Sequence, residues 1–221
     1  MSVAQNIADI RSVLPAGVTL VAVSKFHLPQ TIREAFDAGQ RIFGESRVQE
    51  LMVKQSLLPP DIEWHFIGTL QTNKVKNIAP FVHTIQSVDT VRLLKEIDRQ
   101  AAGCHRRIRV LLEIHIAEEA SKHGFAMEEC RALLRDEPAS AYPNVCIAGL
   151  MGMATFTDDT TQVQREFQRL HAFFEEMKNN CSPGDSFTEL SMGMSGDYPI
   201  AVACGSTMVR IGTAVFGTRN Y

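Results

Sequence analysis

Lys25 closes a short apolar run, "TLVAVSK" at 19–25, and is followed four residues later by a proline at 29. A primary amine there has two readings. It ends a strand at the surface, or it is aimed into a pocket, where partial loss of water lowers its pKa and makes it a nucleophile able to form a Schiff base with an aldehyde. Near the other end of the chain, "CGSTMVRIGTAVFG" at 204–217 gathers three glycines, hydroxyl side chains and Arg210. Gly212 permits close backbone approach to an anion and Thr213 adds a hydroxyl, the make-up of a phosphate cradle. Arg210 is expected inside the fold, where it needs an acceptor: Glu113, Glu189 or a ligand atom. In "LSMGMSGDYP" at 190–199, Ser191 and Ser195 either donate to a phosphate or cap an ordinary turn. Met192 and Met194 flank a glycine, as Met151 and Met153 do, and pliable thioethers beside a glycine suit a flat ligand. His65 shares a face with Glu63 and Ile67 and is expected to point inward.

The elements that must position these residues follow from periodicity. Eight apolar runs read as strands, at 19–24, 41–44, 63–68, 82–86, 107–116, 145–154, 187–192 and 207–212. Helical patterns lie between them. Val163, Phe167, Leu170, Phe174 and Met177 form one stripe at steps of three or four. Asp89 is a candidate N-cap for a helix from about 89 to 97, and Gly39 ends a helix that starts near Leu28. A further helix at about 3–13 precedes the first strand. Eight strands alternating with helices imply a parallel sheet with right-handed crossovers. Closed on itself, that sheet is an α/β (β/α)8 TIM barrel occupying 1–221 as one domain. An open doubly wound sheet is the alternative, but "VSKFHLPQ" lacks the glycine-rich turn that such a sheet uses for a dinucleotide.

In a barrel, ligand groups stand at the C-terminal ends of strands. Lys25 takes that position on the first strand, in line with Val21 and Val23. On the fifth strand, Ile108, Val110, Leu112, Ile114 and Ile116 form an apolar set for packing under helices. Arg109, Leu111, Glu113 and His115 then face inward, with His115 nearest the mouth.

Composition excludes several classes. The 221 residues are 45% apolar and 21% charged with a formal net charge of −3, and the charges are interspersed. There is no basic stripe for nucleic acid and no run of about 18 apolar residues for a membrane span. Five scattered cysteines and the absence of a signal-peptide core point to reduced thiols and a cytoplasmic location. With no HExxH and no paired CxxC, a sequence motif for zinc is missing. The lysines of "LQTNKVKN" at 70–77 belong either to an anion site or to a solvated helix face.

Longer strings carry a resemblance. "VSK", "FGESRVQE", "WHFIGTLQTNKVK", "GLMGMATF", "LSMGMSGDYPIAV" and "GSTMVRIGTAVFG" occur in that order. Together they resemble the pyridoxal phosphate homeostasis proteins, of the alanine-racemase-like barrel class that binds pyridoxal 5′-phosphate (PLP). The resemblance implies that Lys25 forms the internal aldimine. It also implies that Ser195, Gly212 and Thr213, with Ser191, hold the phosphate, and that Arg210 meets the pyridine nitrogen. Ser46, His65 and Met192 are expected to complete the cofactor contacts. Departures fall at the pocket rim, where Ser46 and Arg47 replace Asn-Tyr, Thr69 replaces a histidine, and an asparagine usual near His115 is missing.

Barrel enzymes of this class carry a second β domain, for which a barrel of 221 residues leaves no room. A racemase also needs proton donors on both faces of its ligand. The expected function is therefore PLP homeostasis: a monomeric carrier of vitamin B6 aldehyde that hands it to apo forms of PLP-dependent enzymes. The alternatives are a weak PLP-dependent racemase and a Schiff-base aldolase acting on a phosphorylated sugar.

Overall fold

The computed structural model describes residues 2–118, 123–137, 139–181 and 186–217. The helix α1 (Val3–Val13) precedes β1 (Thr19–Val23), α2 (Pro29–Asp37), β2 (Ile42–Glu45), α3 (Val48–Leu57) and β3 (Glu63–Phe66). The chain continues through α4 (Val75–Ile78), β4 (Thr84–Val88), α5 (Val91–Gly103), β5 (Ile108–Ile114), α6 (Met127–Asp136) and β6 (Val145–Gly152). It ends with α7 (Thr160–Asn180), β7 (Glu189–Ser191), α8 (Tyr198–Ala203), β8 (Met208–Ile211) and α9 (Thr213–Phe216). Neighbouring strands pair in parallel around a closed ring, and β8 returns to β1 with Thr19 opposite Met208 and Val21 opposite Arg210. This is the (β/α)8 barrel with an N-terminal helix that the alternation predicts.

Strand parity sorts the core into two packed groups. Val21, Leu111, Ala148, Met151 and Met208 fill the barrel interior, while Leu20, Ala22, Ile108, Val110, Leu112 and Ile114 pack beneath the helices. The fifth strand thus splits between faces as its sequence implies. The apolar stripe of α7 is buried at all five expected positions, with Phe167, Leu170 and Met177 fully enclosed. Each such side chain contributes about 1.5–3 kcal/mol relative to exposure. Asn6 Nδ2 donates to the Val215 carbonyl at 2.9 Å, tying α1 to α9 across the two ends of the chain.

Three local departures have physical reasons. The third strand stops at Phe66, because Gly68 turns tightly against β2: a Cβ there would lie 2.4 Å from the Ser46 carbonyl oxygen. The fourth strand runs to Val88 because its polar residues Gln86 and Ser87 are buried and satisfied, Ser87 Oγ donating to the Gly68 carbonyl at 2.5 Å. The cap of α5 is Thr90, whose Oγ1 accepts from Leu93 N at 3.3 Å, and not Asp89. Lys76 is exposed on the short α4, in keeping with a solvated face. Among the described residues no helix is long and apolar enough to cross a membrane.

Candidate functional site

A cavity of about 560 Å³ opens at the C-terminal ends of the strands. Lys25, Ser46, Ser195, Arg210, Gly212 and Thr213 all line it. Lys25 stands two residues past the end of β1 and is half-buried. The backbone around it is fixed from beneath by polar groups closed off from water. Lys54 Nζ on α3 donates to the Ser24 carbonyl at 2.7 Å, to Glu45 Oε1 at 2.8 Å and to Glu50 Oε1 at 2.6 Å. Ser24 Oγ donates to the same Glu45 oxygen at 2.5 Å, and the Phe26 N–H donates to Glu50 Oε1 at 2.6 Å. Phe26 takes φ of 70°, the left-handed region that bulky residues avoid, so these bonds hold a strained turn beside the amine. Arg47 lies over the Phe26 ring, 4.7 Å from its centroid. Burial pushes the Glu45 carboxyl above its usual range, against the pull of Lys54.

Across the cavity, Arg210 on β8 is buried. Its Nη1 donates to the Ser191 carbonyl at 2.9 Å and to Ser191 Oγ at 2.5 Å, and its Nη2 donates to the Gly152 carbonyl at 3.0 Å. No hydrogen bond engages its Nε among the described residues. Burial lowers its pKa to about 10, against the opposing pull of Glu113 and Asp197, so it remains a cation at neutral pH. It makes no ion pair with either carboxylate considered for it: Glu189 pairs instead with Arg109 at 3.4 Å. Glu113 stays an electrostatic neighbour, and burial raises its pKa to about 7 while Arg210 pulls it down.

The third wall is a turn after β7 facing the start of α9. Asp197 Oδ1 accepts from Met194 N at 2.5 Å, and Ser195 Oγ accepts from Gly212 N at 3.3 Å. Gly193 has φ of 96°, and a Cβ there would lie 2.6 Å from that of Ala201, so only glycine allows the turn to fold onto α8. The first N–H groups of α9 have no carbonyl within the helix to meet. They join the Ser195 and Thr213 hydroxyls in a patch of donors suited to an anion.

Four residues named from the sequence stand elsewhere. Met192 is buried in the packing layer outside the barrel and does not line the cavity. Successive residues at a strand end face opposite ways, so with Ser191 inward its neighbour must face out. Ser191 itself is fully buried beneath Arg210, where it positions the guanidinium. His65 does point inward, but at the opposite end of the barrel, in a separate cavity of about 270 Å³. A hydrogen-bonded chain links it to the mouth: Ser191 Oγ donates to Gln86 Oε1 at 2.7 Å, and the Gln86 amide meets His65 Nδ1 at 2.8 Å. His115 lies just past β5 and does not line the mouth cavity.

Sequence reasoning missed Lys54, Glu45 and Glu50. "ESRVQELMVK" reads as a charged surface helix, and only spatial pairing shows that its lysine is buried. It also missed Thr155 and Phe156, which line the cavity above β6. Glu166 on α7 holds Thr155 through its N–H at 2.6 Å and its hydroxyl at 2.7 Å.

Comparison with known proteins follows the same outline. The family described as "Alanine racemase, N-terminal domain" matches residues 1–220. The pyridoxal phosphate homeostasis protein of Pasteurella multocida is 36% identical over 236 aligned positions, covering 100% of this chain and 99% of its own. The human protein of that name is 38% identical over 230, covering all of this chain and 82% of its own. PipY of Synechococcus elongatus, solved with PLP bound, is 39% identical with a TM-score of 0.89 over 98% of this chain and 100% of its own. Solved without PLP, it superposes with a TM-score of 0.92.

Proposed function

From the premise that this chain belongs to the alanine racemase N-terminal domain family, and within it to the pyridoxal phosphate homeostasis proteins, we propose that it holds PLP reversibly at the barrel mouth and gives it up to other amines. The observation that carries this reading is the meeting of Lys25 with Arg210, Ser195, Gly212 and Thr213 around one cavity, although the two ends of the chain supply them.

The residues fit the group. When bound, PLP supplies an aldehyde carbon that condenses reversibly with a primary amine. Lys25 offers that amine from a backbone clamped by Ser24 and Phe26. The α9 N-terminus, with the Ser195 and Thr213 hydroxyls, offers donors for the phosphate. Arg210 brings a buried cation with an unused Nε to the ring. An arginine keeps its proton, so a ring nitrogen facing it stays unprotonated and the ring is a weaker electron sink.

Weak carbanion stabilisation favours storage over turnover. A racemase needs a second acid on the face opposite Lys25. Among the described residues no tyrosine lines the cavity: Tyr142 is bound to Glu137, and Tyr198 opens α8. The protein acts as a monomer in this reading, since one chain contains every contact named. Its recipients are apo forms of PLP-dependent enzymes. Its free cysteines, among them the buried Cys130 and Cys146, suit the cytoplasm.

Borohydride reduction of the PLP-loaded protein followed by peptide mapping tests the site. The label is expected on Lys25, and Lys25→Ala is expected to fold and take none. Label retained at another lysine refutes the assignment. Exchange of Cα protons of added amino acids in deuterated water, at rates of enzymatic turnover, would refute the carrier role.

A further inference from the structure

We propose that the bottom of the barrel carries a divalent transition-metal site built from Glu63, His65 and His83, for which Zn²⁺ is the fitting ion. One ligand atom from each of the three lies within 4.8 Å of the other two. Glu63 and His65 are two apart on β3 and share its inner face, while His83 arrives beside them one residue before Thr84, which pairs with His65. The imidazoles of His65 and His83 are stacked with centroids 5.6 Å apart and planes within 2° of parallel. His83 Nε2 stands 3.6 Å from Glu63 Oε2.

The independent sign of a missing ligand is His65 Nε2. The residue is 2% exposed, it lines the lower cavity, and its Nε2 is buried with no hydrogen-bond partner. A buried ring nitrogen with no partner is costly to leave unpaired, and a metal bond removes that cost.

Both histidines have the outer partner that a metal-bound imidazole requires. His83 Nδ1 meets Thr84 Oγ1 at 2.9 Å, and His65 Nδ1 meets the Gln86 carboxamide at 2.8 Å. Ion binding requires the Gln86 carboxamide reversed from the orientation in which its Oε1 accepts from Ser191 Oγ: its oxygen then accepts the Nδ1 proton, its nitrogen donates to Ser191 Oγ, and the Nε2 lone pair is left for an ion. Two imidazoles and a carboxylate are a first-row divalent set, and the fourth position opens into about 270 Å³ of cavity. The charge balance also favours a cation, since Glu63 and Glu189 line this cavity against Arg109 alone. The ion would clamp β3 to the start of β4.

Zn²⁺ titrated calorimetrically into the metal-free full-length chain is expected to bind one to one and to raise the Tm. Glu63→Gln and His83→Gln change half-exposed groups outside the PLP cavity, so they should stay folded. Each is expected to weaken Zn²⁺ by more than about a hundredfold, since even outer-shell changes cost ten- to a hundredfold. Co²⁺ in place of Zn²⁺ is expected to give a nitrogen–oxygen ligand-field spectrum. No binding at millimolar Zn²⁺, affinity that survives both substitutions, or a Co²⁺–thiolate charge-transfer band marking a cysteine site would each overturn the proposal.

Discussion

Lys54 Nζ sits 2.8 Å from Glu45 Oε1 with 4% and 0% of the two side chains exposed, directly beneath the backbone that presents Lys25. A buried pair adds little over an apolar pair of the same shape, but breaking it strands a charge. Lys54→Met leaves Glu45 buried, with only Ser24 Oγ to answer it. The expected loss in stability is about 3–5 kcal/mol by urea denaturation. A loss below about 1 kcal/mol would mean that Glu45 is held as the neutral acid.

Glu113 predicts a pH dependence. Its folded pKa of about 7 stands above the ordinary 4.5, because burial disfavours the charged form. Between those values the folded state holds a proton that the unfolded state has released. Stability therefore falls as pH rises through that window, by up to about 3 kcal/mol from this group. Glu113→Gln should remove that slope. Denaturation midpoints of both proteins from pH 4.5 to 8 check it, and parallel curves would contradict it.

Arg210→Gln removes the cation while keeping a polar side chain over Ser191 and Gly152. Losing a charge-assisted hydrogen bond of about 1.5–3 kcal/mol predicts PLP binding weaker by about ten- to a hundredfold. The absorbance band of bound PLP should shift, while borohydride still labels Lys25. An unchanged spectrum would count against contact with the ring.

Much of this was legible in the chain because strand and helix periodicities are local. The alternation of apolar runs and amphipathic stretches specifies eight parallel strands. The strict two-residue period of the fifth strand assigns Leu111 and Glu113 to the interior, and Ile108, Val110, Leu112 and Ile114 to the helix layer. Lys25, Ser195, Arg210 and Gly212 sit at strand ends or in glycine turns that a barrel must bring to its mouth.

Parity says whether a side chain faces in or out, but nothing about depth along the barrel axis. His65 is inward as expected and yet belongs to the bottom, because depth depends on how far each strand is staggered against its neighbours. Met192 fails for the opposite reason, since parity alone turns it away from Ser191. Burial of Lys54 could not be read locally at all. Its partners Ser24 and Glu45 lie on two other elements, and closure of β1 against β2 removes water from all three together. Sequence by itself determined the barrel and the lysine at its rim. Tertiary structure alone decided which charges are buried, which end of the barrel each inward residue serves, and what holds the Lys25 turn in place, because these depend on contacts between residues far apart in the chain.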